Sequence, residues 1–151
     1  MSDDDAVRVV HDASAVHAVV SAATIDVAAL EAWVSTAADG AVVTFRGIVR
    51  NHDHGVAVSR LEYQAHPDAE RLLNETCARL SAETGLRIAV VHRVGPLAIG
   101  DVALAAAVAS PHRAEAFAAL AKLVDEIKHD VPIWKRQHLA DGLTEWVGLT
   151  D

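Results

Sequence analysis

The sequence predicts a single α+β domain built on a mixed sheet, and three observations predict it. Helix-period and strand-period segments alternate along the chain. Several strand-like segments are separated only by hairpin-length turns, which a doubly wound parallel sheet does not allow. No Pro-, Gly- or Ser-rich linker divides the 151 residues, so residues 1–151 read as one domain. With 52% hydrophobic and 23% charged residues the chain is globular, and its length suffices for a sizeable core. Aromatics are only 4%, which leaves Ala, Val and Leu to fill it.

The elements follow in order. "VRVV" (7–10) and "HAVVSA" (17–22) read as short strands, and "TIDVAALEAWVSTAADG" (24–40) as a helix closed by Gly40. "AVVTFRGIV" and "VAVSRLEYQA" are strands joined by the turn "RNHDHG". Pro67 and Asp68 open a second helix with Leu72, Leu73 and Leu80 on one face and Gly85 as its C-cap. "LRIAVVHRVG" and "DVALAAAVAS" are strands around the turn "GPLAIGD". The longest helix follows, with Ser110 as N-cap and Pro111 at its first position. Beyond Pro132 come an extended stretch, an Asp141-Gly142 turn and a closing strand, "LTEWVG".

Charge and composition exclude several classes. A net charge of −8 argues against nucleic-acid binding, which needs a basic face. No apolar run approaches the ~18 residues of a membrane span, and the acidic "MSDDDAVRVV" is unlike a signal peptide. A cytoplasmic protein is expected. The single Cys77 allows neither an intramolecular disulfide nor a Cys-rich metal site. It falls at the edge of an apolar stripe and reads as a small buried hydrophobe rather than a nucleophile. His52 and His54 lack a third metal ligand and read as turn residues. Neither a metal nor a cofactor is expected.

The lysines are the sharpest feature. The chain has ten arginines but three lysines, and two of these, Lys128 and Lys135, flank Pro132 and Trp134 in "KHDVPIWKRQ". At about 100° per residue, Phe117, Leu120, Ala121, Val124 and Ile127 form one apolar stripe, and Lys128 projects into it while Lys122 points away. A lysine on that side can be desolvated and lose a proton, which an arginine cannot. The same placement also suits a lysine that snorkels from the last turn. Lys135 beside Arg136 has an equally plain reading as a solvated residue.

Two further groups are candidates for anion binding. "SPHR" sets Ser110, His112 and Arg113 at the positive end of a helix dipole, though a simple N-cap reads the same way. Arg46, Arg50, Asn51 and His52 sit where a strand meets its turn, a common place for functional side chains. Arg113 and Lys128 are roughly 22 Å apart along one helix. If both serve one small ligand, a second copy of the chain must supply one of them.

Taken together, "DGAVVTFRGIVRNHDHG", "LEYQAHPDAE", "VVHRVGPLAIGD", "SPHRAEAF", "IKHDVPIWKRQ" and "DGLTEWVG" resemble the large, catalytic subunit of molybdopterin synthase. The resemblance runs in unbroken order over about residues 39–148, which is far more specific than any one motif. It implies an α/β-hammerhead fold and a homodimer that carries two small ubiquitin-like sulfur carriers, a heterotetramer. The implied reaction turns cyclic pyranopterin monophosphate into molybdopterin, by inserting two sulfurs delivered as a thiocarboxylate on the carrier's C-terminal Gly-Gly. The chain would thus be a sulfurtransferase of molybdenum cofactor biosynthesis.

Carried over by motif, Lys128 and Lys135 are the implied catalytic residues. Arg50, His112 and Arg113 would bind the substrate phosphate, the "HR" pair reaching in from the second protomer. Lys135 would meet the carrier's terminal group, and Lys128 would transfer protons or stabilise charge; the two roles are interchangeable at this level. Two positions depart from the family's pattern. Gln137 replaces a frequent acidic residue after "WKR", read as a peripheral change, and Thr150 stands where some relatives carry an arginine. The competing readings are a non-catalytic anion-binding module that docks the carrier, and an enzyme in which Lys128 forms a Schiff base.

Overall fold

The computed structural model describes residues 15–53, 56–139 and 142–147. The strand expected at 7–10, His54, Asp141 and Thr150 lie outside them. Among the described residues the chain forms β1 (Val16–Ser21), α1 (Val27–Val34), β2 (Ala41–Ile48), β3 (His52–Asp53) and β4 (Val56–Ala65). Then follow α2 (Ala69–Thr84), β5 (Arg87–Arg93), β6 (Gly95–Leu97), β7 (Val102–Ser110), α3 (Arg113–Asp130), β8 (Ile133–Leu139) and β9 (Thr144–Val147). The predicted α+β class holds.

The strands form two sheets. One has the order β1-β5-β7-β2, with β1 parallel to β5 and the other pairs antiparallel. The other is antiparallel, ordered β3-β4-β8-β9, with β6 also paired to β4. The first sheet is the middle of three layers. Ile88, Val90, Leu104, Ala106 and Val108 face α2 and α3, packing with Leu73, Cys77, Leu80, Leu123 and Ile127. The alternate residues Ala89, Ala105, Ala107 and Ala109 face α1, against Val27, Leu30 and Val34. This is why β7 is nearly all small residues: buried on both faces, it lets helices approach from either side. Each large aliphatic side chain buried in these layers contributes about 1.5–3 kcal/mol.

Several local expectations need correction. The first helix is half as long as expected. Asp26 caps it through Ala29 N–H at 3.1 Å, but it ends at Val34, where Ser35 turns extended. Asp39 accepts from Thr36 N–H and Oγ at 2.9 Å each, and that turn takes the chain out of the helix before Gly40. Gly40 serves a different purpose: a Cβ there would lie 2.6 Å from the Pro111 carbonyl oxygen. "RNHDHG" is not all turn, since β3 pairs with β4, and "GPLAIGD" contains the strand β6. Gly47 marks a register shift in the β2–β7 ladder.

The start of α3 is also displaced. Ser110 is the last residue of β7, paired with Ala41, and its carbonyl accepts from Gly40 N–H at 3.1 Å. The ladder therefore claims the backbone that an N-cap would need, and His112 occupies the cap position instead. The buried row of α3 is Ala116, Ala119, Leu120, Leu123 and Ile127, and Phe117 is 59% exposed. Because α3 packs on both the sheet and α2, its small alanines turn inward. Phe117, Ala121 and Val124 are left along a groove with Val43 and Phe45 of the edge strand β2.

The Gly40 contact carries a prediction. Gly40→Ala should lower the urea midpoint, with a loss of about 1–3 kcal/mol from overpacking against backbone that cannot easily move. An unchanged midpoint would mean the strand end and Pro111 separate freely.

Candidate functional site: a lysine pair between two sheets

α3 runs back along the sheet, so its last turn arrives where the second sheet begins. Val131 N–H still bonds to Ile127 at 3.1 Å, and the Pro132 carbonyl then accepts from His66 N–H at 3.0 Å, tying the exit of α3 to the end of β4. Proline cannot continue the helix, and the chain leaves as β8. The period-2 alternation of β8 turns Ile133, Lys135 and Gln137 inward and Trp134 outward. Lys135 stands between Tyr63 of β4 and Val147 of β9 in the ladders. Lys128, in the last turn of α3, is close enough to feel its charge.

The three lysines are held in opposite ways. Lys122 pairs with Glu83 at 2.9 Å and Glu126 at 3.7 Å, and its pKa is raised by the Glu83 hydrogen bond and charge. Lys128 has its pKa lowered, first by burial of its ammonium and then by Lys135. As a whole residue Lys128 is exposed, so its ammonium is at most partly withdrawn from water and the lowering is held in check by solvent. Neither Lys128 nor Lys135 forms an ion pair among the described residues.

Behind the pair is an uncharged wall that the sequence reading did not single out. The Tyr63 and His92 rings meet edge to face, 5.1 Å between centroids. His92 is 8% exposed, and its Nδ1 lies 2.8 Å from the Arg93 carbonyl oxygen. A carbonyl only accepts, so Nδ1 carries the hydrogen and Nε2 the lone pair. Burial pushes the His92 pKa down to about 4, against the Arg93 hydrogen bond, and Lys128 adds to the lowering. Burial likewise raises the Tyr63 phenol. Both groups are neutral at neutral pH. Strand alternation could have found them, since Leu61-Tyr63-Ala65 and Ile88-Val90-His92 are inward rows.

The other expected site residues are distributed unevenly. Arg50 is exposed just beyond β2. The preceding Val49 is bonded to Asp101 and Gly100, at 2.9 and 2.7 Å, at the end of the molecule where α3 terminates. His112 and Arg113 are exposed at the opposite end of α3, so within one chain they do not join the lysines. Cys77 is fully buried and its thiol is pushed up to about 12 by burial and then Glu126, which leaves it inert. Gln137 is not peripheral: it is 2% exposed, on the same strand face as Lys135. No group of three metal-ligating side chains occurs among the described residues, and no described helix is long and apolar enough to cross a membrane.

A three-layer α+β core is joined to a hairpin sheet, and Lys128 and Lys135 stand where they meet with no ion pair to either among the described residues. Residues 20–130 match the model of the MoaE protein family. A molybdopterin synthase catalytic subunit from Nostoc sp. is 41% identical over 123 residues, 80% of this chain and 74% of that protein. Molybdopterin synthase catalytic subunit 1 of Mycobacterium tuberculosis is 43% identical over 119 residues, 78% of this chain and 80% of that one. The crystal structure of molybdopterin synthase from Staphylococcus aureus superposes with a TM-score of 0.80 at 36% identity, over 87% of this chain and 96% of that one. The chain belongs to the MoaE protein family.

His92 gives the fold a pH dependence with a definite sign. The unfolded imidazole takes a proton near 6.5, the folded one only near 4. In that window the unfolded state binds more protons, so stability falls as pH falls from 6.5 to 4, by at most about 3 kcal/mol. Urea titrations at pH 7 and pH 4.5 should show this loss in the wild type and a smaller one in His92→Phe. Equal losses would place the titration elsewhere.

Proposed function

We propose that this chain is the catalytic subunit of a molybdopterin synthase, a sulfurtransferase. It would move sulfur from the C-terminal thiocarboxylate of a small carrier to cyclic pyranopterin monophosphate, twice, to build the molybdopterin dithiolene. The observation that carries this reading is the lysine pair: two mutually repelling ammoniums without a counter-charge among the described residues. Such a pair favours an incoming anion, and a carboxylate or thiocarboxylate supplies one. The identity to named catalytic subunits over most of the chain supports the substrate assignment.

The chemistry divides as follows. Lys135, beside Tyr63 on the inner face of β8, receives the carrier's terminal thiocarboxylate as a compact charge; once its sulfur has bonded to a pterin carbon, water attacks the acyl carbon, the acyl C–S bond breaks, and Lys135 steadies the carboxylate so formed. Lys128, whose pKa is lowered by partial burial and by Lys135, exchanges protons with the reacting sulfur and pterin carbons. Arg50, with His112 and Arg113, holds the substrate phosphate.

The "HR" pair reaches the site from a second protomer. Leu120 and Ala121 lie midway between Arg113 and Lys128, and the exposed groove of Phe117, Ala121, Val124, Val43 and Phe45 is centred there. A two-fold axis crossing α3 at that point lays two copies of α3 antiparallel. Each helix start then meets the partner's helix end. With a carrier on each protomer the assembly is a heterotetramer.

Single-turnover reactions with thiocarboxylated carrier test the reading. Wild type should form dithiolene product, and Lys128→Ala and Lys135→Ala should each be slower by about 10²-fold or more. A well-folded wild type that binds the carrier without forming product would leave only a docking module. Mixed dimers of Arg113→Ala and Lys128→Ala chains should recover part of the activity. No recovery would mean that each site is built from one chain.

A further inference from the structure

The strand that leads to Arg50 is gripped at its end by a turn from another part of the chain. β2 pairs with β7 as far as Gly47 and Leu104, and then Ile48 pairs with Val102, so β7 carries one extra residue, Ala103, at that step. Ala103 and Val49 are both buried in the small core with Leu61 and Leu97. Beyond the bulge, both backbone polar groups of Val49 are taken by the turn before β7. Its N–H donates to the Asp101 carbonyl at 2.9 Å, and its carbonyl accepts from Gly100 N–H at 2.7 Å.

That turn is itself closed twice. Asp101 N–H donates to the Ala98 carbonyl at 3.0 Å, and the Asp101 carboxylate accepts from Ala98 N–H at 2.9 Å. Gly100, the third residue of the turn, has a φ of 92°, a conformation that favours glycine. The carboxylate also meets Arg93 Nη1, but at 3.5 Å and with both partners partly in solvent, so that contact contributes little. The short, charge-assisted bond to Ala98 N–H is the one that holds the loop. On the far side of Arg50 the chain is pinned again, where His52 pairs with Ala57. Arg50 and Asn51 are the whole span between the two anchored points.

We infer that Asp101 is a positioning residue for Arg50. Its carboxylate closes the turn that grips Val49, and Val49 sets where the next side chain leaves the backbone. A guanidinium binds an oxyanion as a planar fork, so it tolerates a displaced backbone less well than a point charge does. The inference rests on reading Arg50 as a ligand of the substrate phosphate, and its test therefore pairs a structural readout with a kinetic one.

Hydrogen exchange reads the grip directly. In Asp101→Ala the Val49 and Gly100 amides should exchange about tenfold faster or more, while Ala106, paired on both sides in mid-sheet, keeps its protection. In single-turnover reactions the pterin concentration that gives half the maximal rate should rise about tenfold, with the maximal rate within about twofold, because binding is lost and the lysines are not moved. Asp101→Asn keeps an oxygen for Ala98 N–H and should restore most of the affinity. Gly100→Ala strains the same turn with the Asp101 charge intact, and serves if Asp101→Ala does not fold. The double variant Arg50→Ala/Asp101→Ala should need no more substrate than Arg50→Ala alone. Effects that add would mean that Asp101 acts by another route, and would overturn the inference. Unchanged Val49 exchange in both turn variants, or unchanged half-saturation in folded Asp101→Ala, would overturn it as well. Wild-type half-saturation in Arg50→Ala would instead remove the phosphate reading, and the inference with it.

Discussion

Two ammonium groups held near each other, with no ion pair to either among the described residues, repel, and the rest of the fold is what keeps them there. Lys128 would gain by turning fully into water, and Lys135 by moving away. The first is opposed by the rigidity of the α3 exit, where Val131 still completes the helix and the Pro132 carbonyl is bonded to His66. The second is opposed by the β8 ladder, paired on both sides at Lys135. The strain is modest because Lys128 keeps contact with solvent. An anion placed beside the pair would relieve it. Lys122 shows the contrast: with two carboxylates beside it, it is an ordinary surface ion pair, worth little to stability and nothing to chemistry.

The layered core explains how so apolar a chain with so few aromatics sets a charged site accurately. Alanine-rich β7 lets α1 approach from one side and α2 with α3 from the other. Packing at that density allows little rotation of α3, so the last turn that carries Lys128 is held from the middle of the domain. Tyr63 carries this order across the junction, since it touches both the main core and the smaller one under the hairpin sheet. The same dense packing turns Phe117 outward and leaves it 59% exposed.

Much of this was legible in the sequence, and the failures have physical causes. β4 was readable residue for residue from its run of strand-forming residues, and α2 because Asp68 and Gly85 bracket it. Motif order pointed to the lysines, and the odd scarcity of lysine pointed the same way. Misreadings arose where two partners compete for one segment. Ser110 looked like a cap, but strand pairing had already taken its backbone. Phe117 looked like core, because a single helical wheel cannot know that α3 packs on two neighbours. Gln137 looked peripheral because position after a motif says nothing of strand face. Tyr63 and His92 were invisible as partners, since only the β4–β8 register and the ring contact bring them together.

If the lysine pair receives the carrier's terminal anion, proton linkage reports it most directly. Binding of a Gly-Gly-terminated carrier should be followed by calorimetry at a pH near the Lys128 midpoint, in buffers of different ionisation enthalpy. An anion placed beside the pair raises the lowered pKa of Lys128, so complex formation should take up protons, with the uptake abolished in Lys128→Met. Equal apparent enthalpies in all buffers, with carrier affinity unchanged in Lys128→Met, would contradict the account.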